Sequence, residues 1–210
     1  MSLIVFLHGV GETPQVWQDQ VVALPPGAKA VAPWLRGLRP GRDDAFGVSA
    51  AGDDVLSLLN THGVEQLTLI GSGVGGMVAL DIAVRAPETV AQLVLSAAQL
   101  APPKSDLRAQ RLALRLTPAK RLARLGIDKE RLRAALDALE GVDPTDRLGD
   151  VTARTLVVVG AQDDAGHPAA AKLAAAIPDA TLEIVPGARQ SPHTEAPAAF
   201  NATVFGFLDA

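Results

Sequence analysis

The sequence predicts a doubly wound α/β fold with a mainly parallel sheet of about six strands. Two observations carry this. Short, β-branched apolar runs recur along the chain, and longer stretches with helical periodicity separate them. The runs are continuously apolar rather than alternating, so both faces of the sheet are covered, as in parallel sheets flanked by crossover helices. A third observation sets the scale. The chain has 210 residues, 48% of them apolar, enough for one domain with a sizeable core and a small insertion.

Residues 3–7 (LIVFL) read as a first buried strand and residues 29–33 as a weaker second. Runs at 67–70, 93–95, 156–159 and 182–185 follow. Helices are expected near 47–62, 75–86, 166–177 and 195–209. The first of these closes on His62 before Gly63, where the helix dipole favours a histidine. The rhythm breaks between 101 and 150. Ala101-Pro102-Pro103 ends an element, Thr117-Pro118 reads as a helix cap followed by proline at the first turn, and Asp128 as the cap of another helix. In that helix Leu132, Ala135, Leu136 and Leu139 fall at helical spacing. Asp143-Pro144 marks a turn before the next strand. Residues 1–100 and 151–210 thus form the core, and 101–150 a small basic helical insertion.

Composition excludes several functions. The absence of cysteine removes disulfides, thiolate metal sites and cysteine nucleophiles. The four histidines, at 8, 62, 167 and 193, have no paired spacing, so no metal and no cofactor are expected. No apolar run approaches the roughly 18 residues that span a bilayer. Residues 1–7 lack the basic lead of a secretory signal, so a cytoplasmic protein without a membrane partner is expected. Net charge is −4 but uneven: residues 104–133 hold ten bases and three acids, a net of +7 against −11 elsewhere. The plainer reading is a solvated outer face of helices. The sharper one is recognition of an anionic ligand, such as a phosphopantetheine or coenzyme A ester, or of an acidic carrier protein. Nucleic acid is not expected, because the body is acidic and only 3% of residues are aromatic.

Four segments carry chemistry. They are residues 3–11 (LIVFLHGVG), 69–80 (LIGSGVGGMVAL), 155–168 (TLVVVGAQDDAGHP) and 186–197 (PGARQSPHTEAP). In order and separation they resemble the α/β-hydrolase superfamily over nearly the whole chain. The resemblance implies a six-strand core that opens at the family's usual third strand, and a lid formed by 101–150. It also implies an oxyanion hole from the amides of Val10 and Val74 beside Gly9, a catalytic acid at Asp163, and a pocket shaped in part by His193. Gly71–Gly76 also fits a Gly-x-Gly-x-x-Gly dinucleotide loop, but the other three segments favour the hydrolase-like reading.

The departures from the family pattern matter more. Aligned on Gly-x-Ser-x-Gly, Gly73 stands at the nucleophile position, and in the loop read as Gly-His-Ser-Pro-His, Gln190 stands at the imidazole position. Glycine forms no ester, and glutamine does not titrate near neutrality. Three functions remain open. The first is a serine-less member that binds a small carbonyl-containing or anionic ligand. The second is an ester or thioester hydrolase working through Ser72 with His193, or through water positioned by Asp163. The third is an interaction protein using its basic helices. Gln190 or Arg189 is expected to donate a hydrogen bond to Asp163, and His167 to be exposed or to cap a helix.

Overall fold

The structure, a computed structural model, describes residues 2–97 and 104–209. Its sheet consists of β1 (Leu3–Leu7), β2 (Ala30–Val31), β3 (Leu67–Ser72), β4 (Val90–Ser96), β5 (Arg154–Gly160) and β6 (Ala180–Val185). All neighbouring strands pair in parallel, in the order β2-β1-β3-β4-β5-β6. The helices are α1 (Gln18–Val22), α2 (Val48–His62), α3 (Val74–Arg85), α4 (Lys104–Leu116), α5 (Ala119–Ala123), α6 (Lys129–Ala138), α7 (His167–Ala176), α8 (Pro192–Glu195) and α9 (Pro197–Asp209). Short 3₁₀ turns occupy Pro14–Trp17, Pro87–Thr89 and Thr145–Asp150.

Strand alternation sorts the apolar runs into two cores. Val5, Leu7, Leu69, Leu93, Leu95 and Val157 face a cluster that includes α2, α3 and α7. Their neighbours Phe6, Ile70, Val94, Leu156 and Val158 face the opposite cluster, built on Trp17, Phe200 and Val204. This two-sided burial is why the runs are continuously apolar. The winding reverses between β1 and β3, which places a crevice beyond their carboxyl ends, where open α/β sheets bind ligands. β1 and β3 keep register from Leu3↔Leu67 to Leu7↔Gly71, and β3 and β4 end together at Ser72↔Ser96, so the loops that follow open on one rim. β2 supplies only two residues, and β6 is an outer strand with Glu183 and Ile184 exposed and Pro186 directly after it.

The Pro14–Trp17 turn and α1 were not foreseen. They are too short to show a helical period, and they fold by burying Trp17 and Gln20 against the α8–α9 region. α2 ends at His62 with Gly63 in the left-handed conformation, φ 61°, as its sequence requires. Between β4 and β5, Asp128 caps α6, accepting from the amides of Glu130 and Arg131 at 2.9 and 3.1 Å. Thr117 does not cap α5. Its hydroxyl donates to Ala113 O at 2.8 Å, closing α4 instead, and Pro118 takes the cap position without a side-chain bond. The Ala101-Pro102-Pro103 break lies outside the described residues.

Three of the ten bases act as fasteners. Arg111 of α4 reaches Asp137 at 2.8 Å and Glu140 at 2.9 Å, tying α4 to the end of α6. Lys129 donates to the carbonyls of Arg115 and Thr117 at 3.1 and 2.6 Å. Arg131 donates to Gly37 O and Asp44 O at 3.2 and 2.9 Å, holding α6 to the loop before α2.

Candidate functional site

The turn from β3 into α3 is a single residue. Gly73 adopts φ 52° and ψ −115°, a conformation that side chains other than glycine's enter only under strain. Its amide donates to Ser96 O at 2.9 Å, and its carbonyl accepts from Met77 N at 3.1 Å to begin the helix. Flanking glycines let the helix close on the sheet: a Cβ on Gly75 would lie 2.1 Å from Leu7 O, and one on Gly71 2.5 Å from the Gly75 backbone. Gly73 itself is unconfined. The nearest atom to a Cβ built there is Gly9 Cα at 4.0 Å.

The loop after β1 faces this turn. Leu35 N donates to His8 Nε2 at 3.2 Å, so the ring proton sits on Nδ1 and is donated to Gly9 O at 2.9 Å. Burial holds this imidazole below the ordinary histidine range against the pull of Gly9 O and Glu12, which keeps it neutral and structural. Gly9 N donates to the Glu12 carboxylate at 2.6 Å. A Cβ on Gly9 would come 2.9 Å from that same oxygen, so a larger residue there would push the Glu12 carboxylate aside.

The acid loop after β5 is tied to its own backbone. Gly166 N donates to Asp163 Oδ1 at 3.0 Å, and the amides of Gly166 and His167 donate to Asp163 O. The expected bond from Gln190 or Arg189 is therefore replaced by a backbone donor that sequence reasoning had no reason to prefer. His167 opens α7, half-buried, with Nε2 at 3.0 Å from Gly160 O. Gln190 is exposed at the rim.

These pieces enclose a cavity of about 350 Å³ beyond the carboxyl ends of β1, β3, β4 and β5. Gly9, Val10, Gly73, Val74, Asp163 and Gln190, six residues singled out from the sequence, all line it. Met77, Val157 and Val159 line its apolar side, and Leu107, Leu136 and Leu139 reach it from α4, α6 and the residue after α6. The first turn of α3 opens on it at Val74, an N-terminus whose amides favour a carbonyl oxygen or an anion. Among the described residues no three His, Asp or Glu side chains gather as metal ligands.

His193 requires a correction. It does not line the cavity but lies fully buried behind it, stacked on Trp17 at 4.4 Å and edge-on to Phe200 at 6.1 Å. Neither ring nitrogen has a hydrogen-bond partner among the described residues, so the pairing of Ser72 with His193 is not formed. Its Nε2 faces Glu12 Oε1 at 3.6 Å, an ion-pair distance just beyond hydrogen-bond length. Glu12 is the residue that sequence reasoning missed. It lines the cavity beside Ser72 and Gly73. Burial pushes its carboxyl up, but His193, the Gly9 amide and His8 together outweigh that and hold it below the ordinary glutamate range. The available signal was slight: a single acid in an otherwise apolar, glycine-rich loop between His8 and Pro14.

The model of the alpha/beta hydrolase family matches residues 4–203. A Rhizobium rhizogenes protein named a carbamate hydrolase, RutD, is 30% identical over 243 aligned positions that cover 99% of this chain and 92% of that one. A pimeloyl-[acyl-carrier protein] methyl ester esterase of Pectobacterium atrosepticum is 28% identical, with coverage of 99% and 94%. Among solved structures, a hydrolase from Pseudomonas aeruginosa superposes with a TM-score of 0.86 at 22% identity, covering 100% of this chain and 90% of that one. MenH from S. aureus does so at 0.84 and 18%, with coverage of 99% and 93%.

Proposed function

Because the chain belongs to the alpha/beta hydrolase family, we propose that it is a member whose cavity binds a small carbonyl compound without forming a serine ester. In this reading Gly73 stands where a nucleophilic serine would, Gln190 where the imidazole would, and Asp163 keeps the acid position. The supporting observation is the Gly73 turn. Its φ of 52° and ψ of −115° keep a sharp strand-to-helix turn at the cavity, with open space where a side chain would project. A carbonyl oxygen suits the backbone amides of Val10 and Val74, which need no side chain to act. An anionic ligand suits the site less well. The charged side chains lining the cavity among the described residues are Glu12 and Asp163, both acidic.

Two measurements test this. A fluorophosphonate probe leaves the protein unlabelled, whereas stoichiometric labelling at Ser72 refutes the reading. A panel of small ketones and esters raises the melting temperature. Saturation to about 100 times Kd adds roughly 2.7 kcal/mol, or about 5–10 °C for a chain of this size.

A further inference from the structure

We propose that Glu12 is the proton acceptor of this cavity and activates water against the carbonyl carbon of a small neutral ester. The inference rests on the carbonyl-binding reading above and adds a reaction to it.

Three observations converge on Glu12. Its carboxylate is fixed beside the turn: Oε2 accepts from Gly9 N at 2.6 Å, and Gly9 Cα is the nearest atom to the empty side-chain position of Gly73. Glu12 and the open side-chain position of Gly73 thus line the same cavity, with Gly9 between them. Behind Glu12, His193 is fully buried with both ring nitrogens unbonded, an arrangement that costs free energy unless the ring serves a neighbour. The ring is immobilised by Trp17 and Phe200, and its main-chain carbonyl by Gln20 Nε2 at 3.0 Å. Its Nε2 points to Glu12 Oε1, which makes it a positioning residue for that carboxylate. Asp163, the other carboxylate of the cavity, likewise accepts from one amide, that of Gly166, but among the described residues no imidazole is paired with it as His193 is with Glu12.

The step balances with water alone. Glu12 takes a proton from water as the water oxygen bonds to the ester carbon, and the carbonyl electron pair moves onto the oxygen held by the Val10 and Val74 amides. When the carbonyl re-forms, the bond to the alkoxy or aryloxy group breaks and that oxygen takes the proton from Glu12. One ester and one water give one acid and one alcohol. With Glu12 and Asp163 as the charged lining among the described residues, a neutral acyl chain fits better than an acidic one.

The test uses 4-nitrophenyl butyrate for turnover and octan-2-one for binding. Glu12→Gln keeps the shape and an acceptor for Gly9 N, and is expected to lower turnover about 100-fold or more. Octan-2-one should still raise its melting temperature as in the unaltered protein, and Glu12→Ala should match the loss. Turnover should be level across neutral pH and fall only in acid, below the ordinary glutamate range. The groups around Glu12 are His193, His8, Asp163 across the cavity, and Asp128 and Arg131 across a small cleft on its other side. A fall centred near about pH 6.5 assigns the proton to an imidazole and overturns the proposal. Unchanged turnover in Glu12→Gln, or an acyl group on Ser72 in the intact mass, also overturns it. Octan-2-one binding without any ester turnover removes the water step and leaves the carbonyl-binding reading standing. No binding and no turnover remove both.

Discussion

Gly73 concentrates the question of function in one α-carbon. Its positive φ means that a serine introduced here places a Cβ in a strained conformation, although the space around it is open. Gly73→Ser is expected to cost about 1–3 kcal/mol, read as a lower urea midpoint at unchanged slope. An unchanged midpoint would mean that the turn relaxes. Pairing that change with Gln190→His asks whether the turn and the loop after β6 can carry a working serine–imidazole pair. Gly73, Val74, Gly9, Val10 and Asp163 were legible as neighbours around one cavity because each follows a strand at a position the motif spacing fixes. Glu12 and His193 were not legible as a pair. They lie 181 positions apart, and what joins them is the stacking of His193 on Trp17, in a segment whose helical turns the sequence did not announce. Sequence spacing reports which residues follow a strand; it does not report which side chain a buried ring leans on.

At the scale of elements, α4 and α6 show how charge becomes architecture. A run of bases reads as a solvated face, and Arg108, Arg115, Lys120, Arg121, Arg124 and Arg133 are indeed exposed. Arg111, Lys129 and Arg131 instead bond carbonyls and carboxylates of other elements, which no local pattern distinguishes from the rest. Arg131 is the most informative of them, since it ties α6 to Gly37 and Asp44 across the chain. Its loss leaves two carbonyls without their donor, so Arg131→Ala is expected to destabilise by about 1–3 kcal/mol. Limited trypsin digestion should then cut first within 104–133, while the sheet core persists. Digestion that spreads evenly over the chain would show that the helices and sheet melt as one unit. The strands and long helices were readable from periodicity, whereas Thr117 was misread because a hydroxyl can serve the helix behind it as well as the one ahead.

For the whole molecule, acid should undo the fold in two stages. His8 is held below its ordinary value by burial, so its contribution is complete above about pH 6.5 and is lost as pH falls from there, when protonation disrupts the bond from Leu35 N. Asp44, depressed first by the Gly37 amide, and Glu12, whose partners outweigh its burial, contribute above the ordinary carboxylate range. That contribution is lost as pH falls through their lowered values. Urea midpoints measured from pH 8 to 3 should therefore decline gently below about 6.5 and steeply below about 4; a midpoint that holds level down to pH 5 would show that His8 accepts its proton without penalty. The sheet has a further consequence at its rims. On one side β2 offers two residues, and on the other β6 offers six, with a carboxylate among them and a proline directly after. At β2 a strand from another molecule finds too little unpaired backbone to extend, and at β6 the Glu183 carboxylate and the proline that follows work against pairing. The two margins thus resist edge-to-edge pairing by different means, brevity on one side and charge on the other.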